Sequence, residues 1–192
     1  MIVNQNIGLI SDTPVVYSKN FKLEYGNFIS FKRMMKRFDL QFSLKLNLED
    51  RYQFINSVYY KLDVDAEKYI LSMTLLDILV GNEDRHLNNF GIYFNQGDVL
   101  CGPLFDFGIG LFEHDMKYLD YNLLQSMDMM YFKPLDKRVV RVVMWLKQNH
   151  SDFLKEYLPQ YFILNEEMFP NDLSIEYFQR VCRLLEVKVC LV

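Results

Sequence analysis

Asp84, Asn89 and Asp106 form an ordered trio of oxygen-bearing side chains, with Asn89 five residues after Asp84 and Asp106 seventeen residues after that. Phosphoryl transfer from a nucleotide is chemistry that needs three such groups. One carboxylate takes the proton of the acceptor hydroxyl, while a carboxamide and a second carboxylate hold Mg²⁺ on the phosphates. Both Asn89 and Asp106 offer the hard oxygen ligands that Mg²⁺ prefers. Asp106 is followed by Phe107 and Gly108, and the glycine lets the backbone turn sharply after the metal-binding position. Three more residues belong with the trio. Arg85 either stabilises phosphate charge or pairs with a carboxylate. His86 either serves as a base or packs as a structural element of the loop. Asp77 interrupts an apolar run just before the loop. It lies either on the wet edge of its helix or bonds Arg85, His86 or N–H groups of the loop, because a buried carboxylate needs such partners.

The elements that must position these residues follow from spacing. The run from Ala66 to Val80 carries Tyr69, Ile70, Met73, Leu76 and Val80 on one face, widened by Leu75, Ile78 and Leu79. A helix apolar on nearly all sides is a buried one, so this run predicts a pedestal under the loop. Gly81 marks its end. Phe90 to Phe94 reads as a strand, 95–98 as a tight turn and Val99 to Leu104 as the return strand. The hairpin would bring Asp106 back beside Asn89, since its turn lies midway between them.

Upstream, residues 1–20 suggest extended pieces, 27–38 a helix with Lys32, Arg33, Lys36 and Arg37 opposite its apolar side, and 49–62 a second helix. The basic face is either solvated or meets a phosphate or an acidic partner. Downstream, the pattern predicts a methionine-rich helix over 118–130 and a helix capped by Asp136 with Val139, Val140, Val143 and Leu146 inward. Short helical pieces over 151–170 and a last helix with Tyr177, Phe178, Val181, Leu184 and Leu185 inward complete the reading. The fold class is therefore mainly α (α+β), with one or two small β-hairpins.

The totals narrow the function. The 192 residues fit one domain or one large lobe, and 51% hydrophobic with 16% aromatic content supports a packed core rather than disorder. A formal net charge of −4 argues against direct nucleic-acid binding. Cys101, Cys182 and Cys190 lack CxxC spacing and read as ordinary reduced thiols. The first residues have neither a basic nor a long apolar region of the signal-peptide kind, and no apolar run reaches the ~20 residues of a membrane span. A cytoplasmic protein is expected.

The segment Asn82-Glu83-Asp84-Arg85-His86-Leu87-Asn88-Asn89-Phe90 resembles the N-x-D-x-H-x-x-N-F signature of the HipA-like kinases, and Pro103-Leu104-Phe105-Asp106 is similar to their metal-binding P-[LF]-[FY]-D segment. The Asp-Arg-His and Asp-Phe-Gly pieces are also similar to those of phosphatidylinositol kinases. The likeness is sharpest over 70–108. It implies the carboxyl-terminal helical lobe of a protein kinase-like fold, with Asp84 as catalytic aspartate and Asn89 and Asp106 as metal ligands. It further implies Mg²⁺ and ATP as cofactors, a protein Ser/Thr substrate, and a bacterial origin, often within toxin–antitoxin pairs.

The chain departs from that family at its amino-terminal end. The family uses a β-rich amino-terminal lobe with a phosphate-contacting lysine. Only about 65 residues precede the pedestal helix, they read as mostly helical, and the eight glycines form neither a G-x-G-x-x-G nor a Walker loop. Residues 1–192 are thus expected to be a single catalytic lobe without its amino-terminal lobe. Its expected partners are a protein supplying that lobe or an antitoxin-like protein. Two functions compete: a kinase lobe that acts with a second lobe, and a non-catalytic pseudokinase remnant that binds protein.

Overall fold

A computed structural model describes residues 5–10, 13–18, 27–106, 133–136, 138–169 and 172–192. Phe107, Gly108 and the expected helix over 118–130 lie outside the described residues. The chain folds as a helix-rich α+β structure, with six α-helices and three small sheets among the described residues.

Strands β1 (Gln5–Ile10) and β2 (Thr13–Ser18) form an antiparallel pair, as the β-branched residues and turn punctuation of this stretch suggest. Strand β3 (Asn27–Ser30) and helix α1 (Phe31–Arg37) divide a segment whose periodicity predicts one helix. The correction has a tertiary cause. Residues 27–30 pair with β4 (Gly91–Asn95), an interaction that local spacing does not register. With three strands before Phe31, the amino-terminal stretch is also less helical than its pattern implies.

β4 is the centre of a three-stranded antiparallel sheet, with β3 on one side and β5 (Asp98–Cys101) on the other. The turn between β4 and β5 is the expected one: Gln96 and Gly97 both take positive φ, 51° and 100°, as a tight hairpin turn demands. Gly91 opens β4 at a point of close approach. A Cβ there would stand 2.1 Å from the Ile29 carbonyl oxygen, and the Gly91 carbonyl itself accepts hydrogen bonds from the Tyr59 hydroxyl (3.0 Å) and the Gly102 N–H (2.7 Å).

Helices α2 (Leu48–Tyr60) and α3 (Glu67–Val80) supply the core beneath the sheet. Asn47 caps α2 by accepting from the Asp50 N–H at 2.8 Å. α3 is the pedestal, with Ile70, Leu71, Met73, Thr74, Leu75, Asp77 and Ile78 all buried. It ends at Gly81 in the left-handed conformation (φ 65°), and the Tyr177 hydroxyl donates to the Ile78 carbonyl at 2.6 Å, satisfying an acceptor of the last turn.

The remaining helices are α4 (Val139–Asn149), α5 (Ser151–Tyr157) and α6 (Asp172–Leu184). On α4 it is Val142 rather than Val140 that is fully buried beside Val139, Val143 and Leu146. Asp136 accepts from the Arg138 N–H at 3.2 Å, just ahead of the helix. Residues 151–170 are not helical throughout. Strand β6 (Tyr161–Leu164) pairs in parallel with β7 (Lys188–Leu191), a partner supplied by the chain that follows α6. The three cysteines are unpaired, and burial pushes the Cys182 thiol up to about 12, which keeps it protonated and unreactive. No helix among the described residues is long and apolar enough to cross a membrane.

Gly91→Ala is expected to destabilise the protein by about 2–3 kcal/mol, because the new methyl meets backbone that cannot rotate away. Urea denaturation of wild type and variant checks this; equal midpoints would refute the close approach.

Candidate active site

The loop that follows α3 is built around a buried ion pair. Arg85 and Asp77 are 0% and 1% exposed, and the guanidinium meets the carboxylate through two parallel bonds, Nε to Oδ2 at 2.8 Å and an Nη to Oδ1 at 2.7 Å. Two-pronged contact of this kind fixes direction as well as distance. Burial pushes the Asp77 carboxyl up, while the guanidinium and the Asn82 amide, which donates to Oδ1 at 2.8 Å, pull it back toward the ionised form. The other Nη of Arg85 donates to the carbonyls of Asn89 (3.1 Å) and Phe105. One side chain therefore ties the end of the pedestal to both halves of the site.

This geometry selects among the sequence-based alternatives. Asp77 is buried and bonds Arg85 and Asn82 rather than lying on a wet edge. Arg85 takes a carboxylate as its partner and is fully enclosed, so it does not face a phosphate. His86 is half-buried; its Nδ1 accepts from the Asn88 backbone N–H at 3.2 Å and its backbone N–H donates to the Asp84 carbonyl at 2.7 Å, a pattern that shapes the loop.

Asn89 lies at the meeting point of the trio. Its Nδ2 donates to the Asp106 carboxylate and, at 3.4 Å, to the Asp84 carbonyl. Asn89 is buried while Asp106 is exposed. Asp106 takes φ 63°, a left-handed conformation uncommon outside glycine, and such strain persists only where neighbours hold it. Here the holders are Arg85 on the Phe105 carbonyl, Asn82 Nδ2 on the Asp106 carbonyl at 3.4 Å, and the edge-on packing of the Phe105 ring against Phe28 at 5.5 Å. β3 contributes Phe28, so the strand that replaced the expected helix start also supports Asp106.

Asp84 is about half exposed and forms an ion pair with Lys133, Nζ to Oδ1 at 2.9 Å. Sequence reasoning missed Lys133, which lies 49 residues along the chain from Asp84 with no spacing signal to connect them. Its turn is held from below. Arg51, 6% exposed, donates to the carbonyls of Leu135 (3.0 Å) and Pro134 (3.4 Å), and to those of Leu46 (2.9 Å) and Leu44 on its own side.

The donor set fits Mg²⁺ in kind. The exposed Asp106 carboxylate, in contact with the Asn89 carboxamide, presents the hard oxygens that Mg²⁺ prefers. A hollow of about 830 Å³ elsewhere, between α2 and the start of α3, is lined by Tyr52, Asn56, Tyr60 and Glu67, with none of the trio in its walls.

No protein-family model matches the chain, and no curated protein does. Its structure is similar to the crystal structure of a Helicobacter pylori proinflammatory kinase, CtkA. The TM-score is 0.52 at 18% sequence identity, covering 96% of this chain and 76% of that one. The likeness shows a kinase-like fold.

Removing either member of the buried pair, by Arg85→Met or Asp77→Leu, is expected to cost about 3–5 kcal/mol by stranding the other charge. The double variant is expected to lose less than the sum. Chemical denaturation of the four proteins gives the coupling, and strict additivity would show that the pair does not organise the loop.

Proposed function

We propose that the chain is the catalytic lobe of a HipA-like kinase, transferring the γ-phosphoryl group of Mg²⁺·ATP to a Ser or Thr hydroxyl of a protein. The observation that carries this reading is the convergence at Asn89, whose side chain touches the Asp106 carboxylate and the Asp84 carbonyl together. The sequence signature over 82–90 and the kinase-like fold support it.

In this reading Asp84 stands at the exposed tip of a rigid loop, where an acceptor hydroxyl reaches it and gives up its proton. Asn89 and Asp106 would hold Mg²⁺, which when bound would draw charge off the phosphates. The Asp77–Arg85 pair keeps the loop and the Asp106 segment in register, so that acceptor and phosphate meet in line. A second lobe, on this polypeptide or on a partner, would cover the nucleotide and exclude water. A bacterial setting with an antitoxin-like partner follows from the same family resemblance.

Asp84→Asn is expected to lower transfer by about 10²–10⁴-fold while leaving nucleotide affinity intact, since the base touches the acceptor and not the phosphates. Asp106→Asn should abolish both transfer and the Mg²⁺ dependence of nucleotide binding, with little change in melting temperature because Asp106 is exposed. Radiolabelled phosphoryl transfer and calorimetric Mg²⁺·ATP titration, with and without a candidate partner chain, measure these effects. Wild-type transfer in the Asp84→Asn protein would remove the base from the scheme. A wild-type chain with no transfer under any condition would leave the protein-binding pseudokinase.

A further inference from the structure

Phosphoryl transfer at this site brings a triphosphate against two carboxylates, Asp84 and Asp106, and one divalent metal does not balance that charge. A cation on the phosphate side would offset part of that excess. Among the described residues, two cationic side chains make contacts with the trio and its loop, Arg85 and Lys133. Arg85 is enclosed and committed to Asp77 and to two carbonyls. Lys32 and Lys36 line a different hollow with Leu40, Phe42 and Leu87, whose walls contain none of Asp84, Asn89 and Asp106.

Lys133 is more open. Its side chain is 40% exposed and that of Asp84 47%, so the pair between them is open to solvent. An ion pair this exposed adds little to stability. Yet the turn that carries it is firmly fixed: Pro134, Leu135 and Asp136 are buried, and the guanidinium of Arg51 is committed to the carbonyls of Pro134 and Leu135. A buried arginine thus holds in place the turn of a lysine whose ion pair with Asp84 adds little to the fold. That arrangement makes sense if the position of the ammonium matters for something other than folding.

We propose that Lys133 is the phosphate-contacting cation of the site, bridging Asp84 and the transferring phosphoryl group. The inference rests on the kinase reading above. The acceptor oxygen must lie in hydrogen-bond contact with Asp84 and against the γ-phosphorus at once. An ammonium 2.9 Å from an Asp84 oxygen therefore stands beside the γ-phosphoryl oxygens, and its three N–H donors allow it to bond carboxylate and phosphate together. In the transfer step the acceptor oxygen forms a bond to the γ-phosphorus as its proton passes to Asp84. The bond from the γ-phosphorus to the β–γ bridging oxygen breaks, and ADP leaves with that electron pair. Lys133 remains protonated throughout, orienting Asp84 and countering charge on the γ-phosphoryl oxygens.

The experiment compares Mg²⁺·ATP and Mg²⁺·ADP binding to the full chain by calorimetry for wild type, Lys133→Met and Lys133→Arg, with melting temperature as the folding control. Because only ATP carries the γ-phosphate, Lys133→Met is expected to weaken Mg²⁺·ATP about 10- to 100-fold and to leave Mg²⁺·ADP unchanged. Lys133→Arg should recover part of the loss, since the charge is retained. A merely structural lysine would weaken both nucleotides alike; that outcome, or no change for ATP, overturns the assignment while nucleotide binding by the wild type leaves the kinase reading standing. A wild-type chain that binds neither nucleotide, with or without the candidate partner chain, overturns the kinase reading and the role of Lys133 together.

Discussion

Asp77 and Arg85 meet in a place where neither charge has water to fall back on. Desolvating two ions is expensive, and their attraction offsets that cost only when geometry is good and the remaining donors are satisfied. Both conditions are met here. The guanidinium covers both carboxylate oxygens, Asn82 adds a third donor, and Arg85 also donates to the backbone carbonyls of Asn89 and Phe105. Satisfying the pair therefore forces two separate stretches of backbone to a common point. The trio of Asp84, Asn89 and Asp106 is assembled by this requirement together with the bonds of the Asn89 amide to Asp106 and Asp84.

Arg51 repeats the same physical device at a second place. It too is buried, and its partners among the described residues are carbonyl oxygens, drawn from the 44–46 stretch and from the turn at 134–135. A planar group with five N–H donors can gather carbonyls from irregular chain that has no ladder of its own. The two arginines thus organise the two sides of Asp84: Arg85 the loop that carries it, Arg51 the turn that brings Lys133 against it. Each solves the problem that buried irregular backbone must find hydrogen-bond partners.

The small sheet provides the remaining constraint. β4 joins Asn89 to the hairpin, β5 returns the chain to Asp106, and β3 lies on the other edge with Phe28 against Phe105. The first turn of α1 then donates its N–H groups at Phe31 and Lys32 to the carbonyls of Phe90 and Leu87, both at 2.8 Å. Free donors at a helix start and free acceptors in a loop satisfy one another. Stacking of Phe31 on Phe90 at 5.0 Å makes the same junction apolar beneath. Residues far upstream in sequence hold the loop from one side while the pedestal holds it from the other.

What the sequence by itself determined was local. The pedestal helix, its stop at Gly81, the hairpin at Gln96-Gly97 and the order of Asp84, Asn89 and Asp106 are all set by spacing and turn chemistry over short windows. The tertiary structure decided whatever depends on a distant partner. Asn27–Ser30 became a strand because β4 offered an edge, and Tyr161–Leu164 because β7 did, although neither partner lies within a helical or strand period of the segment it captured. The choice of Asp77 over a phosphate as the partner of Arg85 belongs to the same class: both charges were visible, but only burial made their pairing obligatory. Lys133 is the limiting case. Its position beside Asp84 comes from a buried arginine on α2 gripping the turn next to it, and the hydrogen-bonding capacity of an arginine carries no information in the sequence about which carbonyls it will find.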